Sequence, residues 1–361
     1  MASRNRVLAW RGVPLAGLAV AVGLSSLGHH ASTLGLALPV LGVLVLMGVV
    51  FACVWHADVI AHRTGEPYGT LVLTVAVTVI EVALILSIML AGEGSPTLAR
   101  ETVFSVIMIV CNGVVGLCLI LGGLRYGEQG FRLPGASAYL VVLMPLATLT
   151  LILPTWTTSV PGPFYTNSQL AFVSLVTIIL YVVFVYVQTV RHRDYFLSDL
   201  GASDDHAPPG QRQLWESVVL LLVGLVAVVL LAKGVAGSIE ATVVAVGAPT
   251  EAVGLLVALL VLLPETMAAL RAARRNELQK SLNLALGSSL ATIGLTIPAV
   301  SLLAIALNQR LELGVDTHDT VLLVLTFAVS LVTFGGGRTN ILPGFVHLVL
   351  FAVFVFMVFV P

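Results

Sequence analysis

The sequence predicts an all-α polytopic membrane protein with eleven transmembrane helices. Two observations carry that expectation. Of 361 residues, 58% are hydrophobic and 10% charged, with a mean hydropathy of +1.06, whereas a soluble domain averages about 25% charged residues. The second is the sidedness of the basic residues along the chain. Low charge combined with long apolar runs excludes a soluble enzyme domain and a disordered chain. Runs of this length also exclude a β-barrel, whose strands are short and alternating. A net charge of −1 argues against nucleic acid as a partner.

A spanning helix needs about 20 mostly apolar residues. Cutting the chain at Gly, Pro and charge clusters gives candidates near 12–28, 33–56, 69–92, 102–124, 136–155, 169–190, 214–236, 245–270, 281–307, 319–334 and 342–360. The first follows a basic flank and has the makings of a signal peptide. A second apolar run begins almost at once, at Leu34, so the first is read as a retained, extra N-terminal helix within residues 1–30. The eighth is interrupted by Gly247, Pro249, Pro264 and two glutamates. Cys53, Cys111 and Cys118 fall inside apolar segments and read as packing residues.

Cytoplasmic flanks of membrane helices are enriched in Lys and Arg. With the N-terminus inside and the C-terminus outside, fourteen of the 17 basic residues fall on inner flanks. Only Arg100 and Arg310 fall on outer ones, and Lys233 lies near the end of the seventh span. A miscounted span would scramble this bias. The expected location is a cytoplasmic (inner) membrane.

The longest hydrophilic link, 191–213, divides the chain into two stretches, 31–190 and 214–361. Its Asp199, Asp204, Asp205 and His206 read as a solvated loop. The two stretches match where they are least ordinary. Gly65-Glu66-Pro67-Tyr68-Gly69 precedes an apolar helix containing Glu81, and Gly247-Ala248-Pro249-Thr250-Glu251 precedes one containing Pro264-Glu265. A span rich in small and polar residues follows each: one holds Asn112, Gly113 and Gly116, the other Gly287, Ser288, Ser289, Thr292 and Gly294. The first repeat starts inside and the second outside, so the repeats are expected to be inverted. Inverted repeats with interrupted helices point to secondary transporters with a site near the midplane.

Glu81 lies 12 residues beyond Gly69, about 18 Å along a helix and near the middle of a hydrocarbon core about 30 Å thick. Glu265 precedes Arg271 by six residues and lies deep but nearer the inner side. A carboxylate at such depth is costly unless protonated, paired or solvated. The structural alternative is a carboxyl hydrogen-bonded between helices. Thr70, Thr74, Thr78 and Glu81 share one helix face, an oxygen-lined surface suited to hard cations; back-bonding to helix carbonyls is the alternative for each threonine. Pro264 frees the carbonyl of Leu260 beside Glu265, or merely kinks the helix. Asn112, Ser288, Ser289 and Thr292 could complete a ligand shell or line tight helix contacts. Glu66 and Glu251 are candidate vestibule acids or solvated helix-end glutamates. Lys233 and Glu240 read as snorkelling and interfacial, with a proton relay as the alternative, and His347 as packed or lipid-facing.

The segments Gly65–Glu81 and Ala248–Glu265 resemble the two α-repeats of the calcium:cation antiporter superfamily, nearest to the bacterial calcium/proton and sodium/proton antiporters of the ChaA type. The resemblance is most specific over about 65–120 and 247–300. It implies two inverted five-helix repeats, with Glu81 and Glu265 as central cation ligands and proton acceptors. Ser288 and Asn112 match polar positions of the helices that follow. Where plant and fungal relatives place a Gly-Asn pair, this chain reads Thr78-Val-Ile-Glu81 and Leu262-Leu-Pro-Glu265. The implied activity is exchange of Ca²⁺, or else Na⁺ or K⁺, for protons, with no cofactor. Expected partners are inorganic cations, protons and the lipid bilayer; a homo-oligomer is left open. An intramembrane protease is disfavoured, because neither His-Glu-x-x-His nor Gly-x-Ser-Gly occurs. A passive channel is the other rival.

Overall fold

The structure, a computed structural model, describes residues 2–27, 37–65, 68–91, 96–197, 209–245, 249 and 251–360. It is almost wholly helical. Eleven helical rods follow in order: α1 (Ala2–Leu27), α2 (Ala37–Thr64), α3 (Tyr68–Ala91), α4 (Leu98–Tyr126), α5 (Leu133–Trp156), α6 (Asn167–Arg191), α7 (Gln211–Ala245), α8 (Glu251–Arg274), α9 (Leu278–Ala306), α10 (Thr317–Phe334) and α11 (Ile341–Phe359). Among the described residues, 9 helices are long and apolar enough to cross a membrane. Two shorter apolar stretches, Trp10–Gly23 and Leu71–Ser87, lie in α1 and α3. Each rod coincides with one expected segment. The ends differ most at α1, which already starts at Ala2, at α2, which runs on to Thr64, and at α7, which continues to Ala245 before α8 starts at Glu251.

Local chemistry explains several ends. Gly65 stops α2 with a positive φ of 72°, its N–H donating to Ala61 O at 3.0 Å. Thr166 and Gln169 form a reciprocal capping box at the start of α6. The Asn340 side chain accepts from Leu342 N–H at the start of α11.

The chain forms two compact units. The first comprises Met1–Ser95 and Asp204–Val253, and the second Pro96–Ser203 and Gly254–Pro361. In the first unit, α1, α2 and α3 pack around α7. Arg11 pairs with Glu216 at 2.8 Å, and Arg63 donates to Pro209 O at 3.3 Å. These contacts put the start of α1, the end of α2 and the start of α7 at one end of that unit.

In the second unit the links sort by parity. The link between α4 and α5 carries β1 (Gln129–Gly130), which pairs antiparallel with β2 (Arg338–Thr339) between α10 and α11. Gln129 also donates to Asn276 Oδ1, in the link between α8 and α9, at 2.9 Å. Arg132 reaches Asp194 O, beyond the end of α6, at 2.7 Å. At the other end, Glu312 N–H donates to Pro96 O at 3.2 Å and Gly314 N–H to Pro163 O at 3.1 Å. The links expected inside thus meet one another, and so do those expected outside. That segregation requires α4, α5, α6, α9 and α10, each flanked by links of opposite sides, to traverse the unit fully.

Two rods approach closely through glycines. A methyl group built at Gly116 of α4 would sit 2.9 Å from Gly344 O of α11. Small residues that admit such backbone contact are a recurrent way of joining helices where no hydrophobic drive operates between them.

Candidate functional site

In the first unit, α3 is flanked by α2 and α7 and carries Glu81 on its buried side. Glu81 and Thr78 are each 1% exposed, and Thr74 is also buried. Thr78 Oγ1 donates to Thr74 O at 2.9 Å. With its proton committed to the helix, the Thr78 oxygen presents lone pairs only. Back-bonding and ligation were alternatives at the sequence level. Here the first leaves the oxygen suited to the second. The Thr70 side chain and the whole of Glu66 lie outside the described residues.

In the second unit, α8 carries Glu265, which is 4% exposed. Ser288 of α9 donates to Glu265 Oε2 at 2.5 Å. A further hydroxyl joins the same pair of helices, Ser281 Oγ donating to Ala269 O at 2.7 Å. Ser289 and Thr292 are buried nearby on α9. Glu251 is exposed at the first residue of α8, where an acid favours the helix dipole.

The interruptions fall elsewhere than expected. Neither α3 nor α8 breaks: α3 is helical throughout Tyr68–Ala91, and α8 runs unbroken through Pro264. A backbone group left without a partner in hydrocarbon is costly, so the helix is preserved around the proline. The following rods are disturbed instead. Both contain a π-helical turn, at Ile109–Val114 in α4 and at Thr292–Thr296 in α9. Further π turns occur at Thr148–Ile152 in α5 and Val187–Arg191 in α6. Such turns widen the helix and are common at functional sites.

Asn112 sits in the first π turn, fully buried. Its Nδ2 donates to Thr326 Oγ1 of α10 at 2.8 Å, and its Oδ1 lies 3.1 Å from His347 Nδ1 of α11. His347 Nε2 is 3.0 Å from Thr333 Oγ1. His347 is therefore neither lipid-facing nor a plain packing residue. It is 0% exposed and bonded at both ring nitrogens. One sequence signal pointed to it: an ionisable side chain inside a span is functional by default. Its partner was not legible, being 235 positions away.

The remaining candidates are quickly placed. The three cysteines are free and buried. Asp199, Asp204, Asp205 and His206, with the side chains of Lys233 and Glu240, lie outside the described residues. Among the described residues, no three His, Cys, Asp or Glu side chains cluster as a metal site.

The chain matches known proteins at the level of a family, of individual sequences and of solved structures. The family model described as sodium/calcium exchanger protein matches residues 34–190 and 216–360. The sodium-potassium/proton antiporter ChaA of Escherichia coli is 38% identical over 330 residues, covering 90% of this chain and 89% of that protein. A Ca²⁺/H⁺ antiporter of Synechocystis is 24% identical over 290 residues, 75% of this chain and 77% of that one. Among solved structures, the H⁺/Ca²⁺ exchanger CAX superposes with a TM-score of 0.73 at 16% identity, covering 99% of this chain and 89% of that one.

Proposed function

The chain belongs to the sodium/calcium exchanger protein family, a family of membrane transporters rather than enzymes, and from that premise we propose that it exchanges cytoplasmic Ca²⁺ for external protons by alternating access. Glu81 and Glu265 are the shared cation and proton site of this reading. Thr74, Thr78 and Ser288 supply neutral oxygens. Asn112 is not part of the proposed shell, because its amide oxygen and nitrogen already meet His347 and Thr326. Glu66 and Glu251 remain candidate vestibule acids. The observation that carries the reading is two glutamates buried in apolar helices, each beside hydroxyl groups.

The coupling follows from competition. Two anionic carboxylates sharing a site repel, so the empty site retains at least one proton. A divalent cation favours both charged forms and expels protons. The site then changes face loaded with either, and not when empty and charged. Lower pH on the cation-binding side is therefore expected to raise the Ca²⁺ concentration giving half-maximal exchange. Everted vesicles with a pH-sensitive dye measure this, and a half-saturation indifferent to pH would rule out competition. Current flowing without an opposing ion gradient would instead mark a channel.

A second reading, monovalent cation/proton antiport, is favoured by one observation: the 38% identical relative is a sodium-potassium/proton antiporter. Comparing Ca²⁺, Na⁺ and K⁺ in the same assay separates the two. For Ser288→Ala we expect weaker cation affinity by about ten- to a hundredfold, the worth of one charge-assisted hydrogen bond, with exchange retained at saturating cation.

The proposed topology places the N-terminus inside and the C-terminus outside a cytoplasmic membrane, with 31–190 and 214–361 as inverted repeats. Tags at the N-terminus and within 198–210 are expected to report cytoplasm, and a tag after Pro361 the outside. Both termini on one side would exclude eleven spans.

A further inference from the structure

The polar cluster around Asn112 takes no part in the exchange scheme above, yet its hydrogen-bond directions are fixed by the atoms that compose it. Thr326 Oγ1 has Met108 Sδ at 3.6 Å and Asn112 Nδ2 at 2.8 Å. A thioether only accepts, so the Thr326 hydroxyl proton points to Met108 and its oxygen accepts from the amide. The Asn112 carbonyl oxygen is then the atom turned to His347, and Nδ1 must carry the imidazole proton. Burial inside a membrane span disfavours the charged imidazolium, which leaves Nε2 an acceptor for the Thr333 hydroxyl at 3.0 Å. The chain Thr333–His347–Asn112–Thr326–Met108 then has one direction throughout, with a neutral imidazole as its second member.

Asn112, the middle member of this chain, belongs to a turn that packs against a helix of the proposed Glu265 half-site. Asn112 lies within the π turn Ile109–Val114, and that turn packs on the Leu278–Ala291 segment of α9, which carries Ser288. Cys111, the neighbour of Asn112, faces Ser289, the neighbour of Ser288. On its other side the turn packs on α11, where a methyl built at Gly113 would touch the Phe351 ring at 3.4 Å. A π turn replaces the regular i→i+4 ladder with wider i→i+5 bonds. Side-chain contacts add to them, and those made by Asn112 come from His347, Thr326 and Met108.

We propose that His347 is a positioning residue for transport: as a neutral Nδ1–H donor it orients Asn112, and through it the π turn that supports the Ser288–Glu265 pair. Asn112 serves as the acceptor that receives this restraint. The proposal rests on the reading of Glu265 as a site residue.

The test uses the full chain in everted vesicles, with each variant's membrane level and melting temperature measured alongside. His347→Leu is expected to lower maximal exchange about tenfold or more, the consequence of leaving a buried acceptor unmatched. His347→Asn, which restores a donor near the Nδ1 position, is expected to recover exchange to within about threefold of wild type. The double variant Asn112→Ala/His347→Leu should be no worse than Asn112→Ala alone, since residues acting in series are not additive. Thr333→Val, nearly isosteric, should cost a smaller factor and decides the matter should His347→Leu fail to insert. Full exchange in His347→Leu, or in Thr333→Val where His347→Leu does not insert, overturns the proposal. So does His347→Asn as inactive as His347→Leu, which would mean that the imidazole itself carries the proton. Full additivity in the double variant overturns it as well. Glu265→Gln run in parallel separates the two levels: exchange surviving there removes the site reading, whereas exchange lost there but kept in His347→Leu removes only this proposal.

Discussion

Glu81→Gln and Glu265→Gln are each expected to abolish proton-coupled cation exchange while the protein still inserts. The amide preserves size and polarity and removes both the charge and the titration. At Glu265 the glutamine oxygen can still accept from Ser288, so the contact between α8 and α9 survives the change. What is lost is an anionic partner for the cation in a site shielded from water. Removing one member of a buried charge pair costs about 3–5 kcal/mol, and each 1.36 kcal/mol is a factor of about ten. Exchange should therefore fall by at least about a hundredfold, to background. Vesicle flux, corrected for the amount of protein in the membrane, measures it. Substantial exchange by either variant would remove that glutamate from the coupling site.

The largest expected effect on stability lies at the other end of the second unit. Arg100, at the start of α4, is 7% exposed. Its Nη1 donates to Glu312 Oε1 at 2.6 Å and to Gly314 O at 2.9 Å. It lies 3.8 Å from Glu101 as well. One guanidinium thus ties α4 to the link between α9 and α10, and Gly314 N–H continues the connection to Pro163. Arg100→Met strands a carboxylate and a carbonyl together. The low end of the range for breaking a buried pair, about 3 kcal/mol, applies, because the Glu312 side chain keeps 23% of its exposure. Thermal unfolding in detergent should show a markedly lower midpoint for Arg100→Met than for Glu312→Gln, which still offers an acceptor. Arg100→Met/Glu312→Leu should recover part of the loss, since no charge is then left alone. An unchanged midpoint in Arg100→Met would show the pair to be incidental. On the sequence, Arg100 is only a charge on the sparsely basic side. The fold gives it a structural task.

The sequence by itself determined the helical membrane class, the eleven apolar segments and, from its α-repeat motifs, the exchanger family. The physical reason is the bilayer, which demands about 20 apolar residues per crossing and confines charges to the ends. Both demands are local, so a window of sequence suffices to read them. The motifs are local too, and Glu81 and Glu265 stand out because an acid in an apolar run is expensive wherever the chain folds. Only the tertiary structure decided which links meet, where the helices depart from regularity and what Asn112 and His347 touch. Pro264 looked like the place for a break, yet α8 continues through it. The irregular turns fall at Ile109–Val114 and Thr292–Thr296, which contain no proline to mark them. Such a turn is held by groups packed against it from distant helices, as Asn112 is by Thr326 and His347, 214 and 235 positions away. Hydrogen bonds between residues that far apart leave no local pattern in the chain, because each partner alone reads as a small or polar residue in an apolar helix.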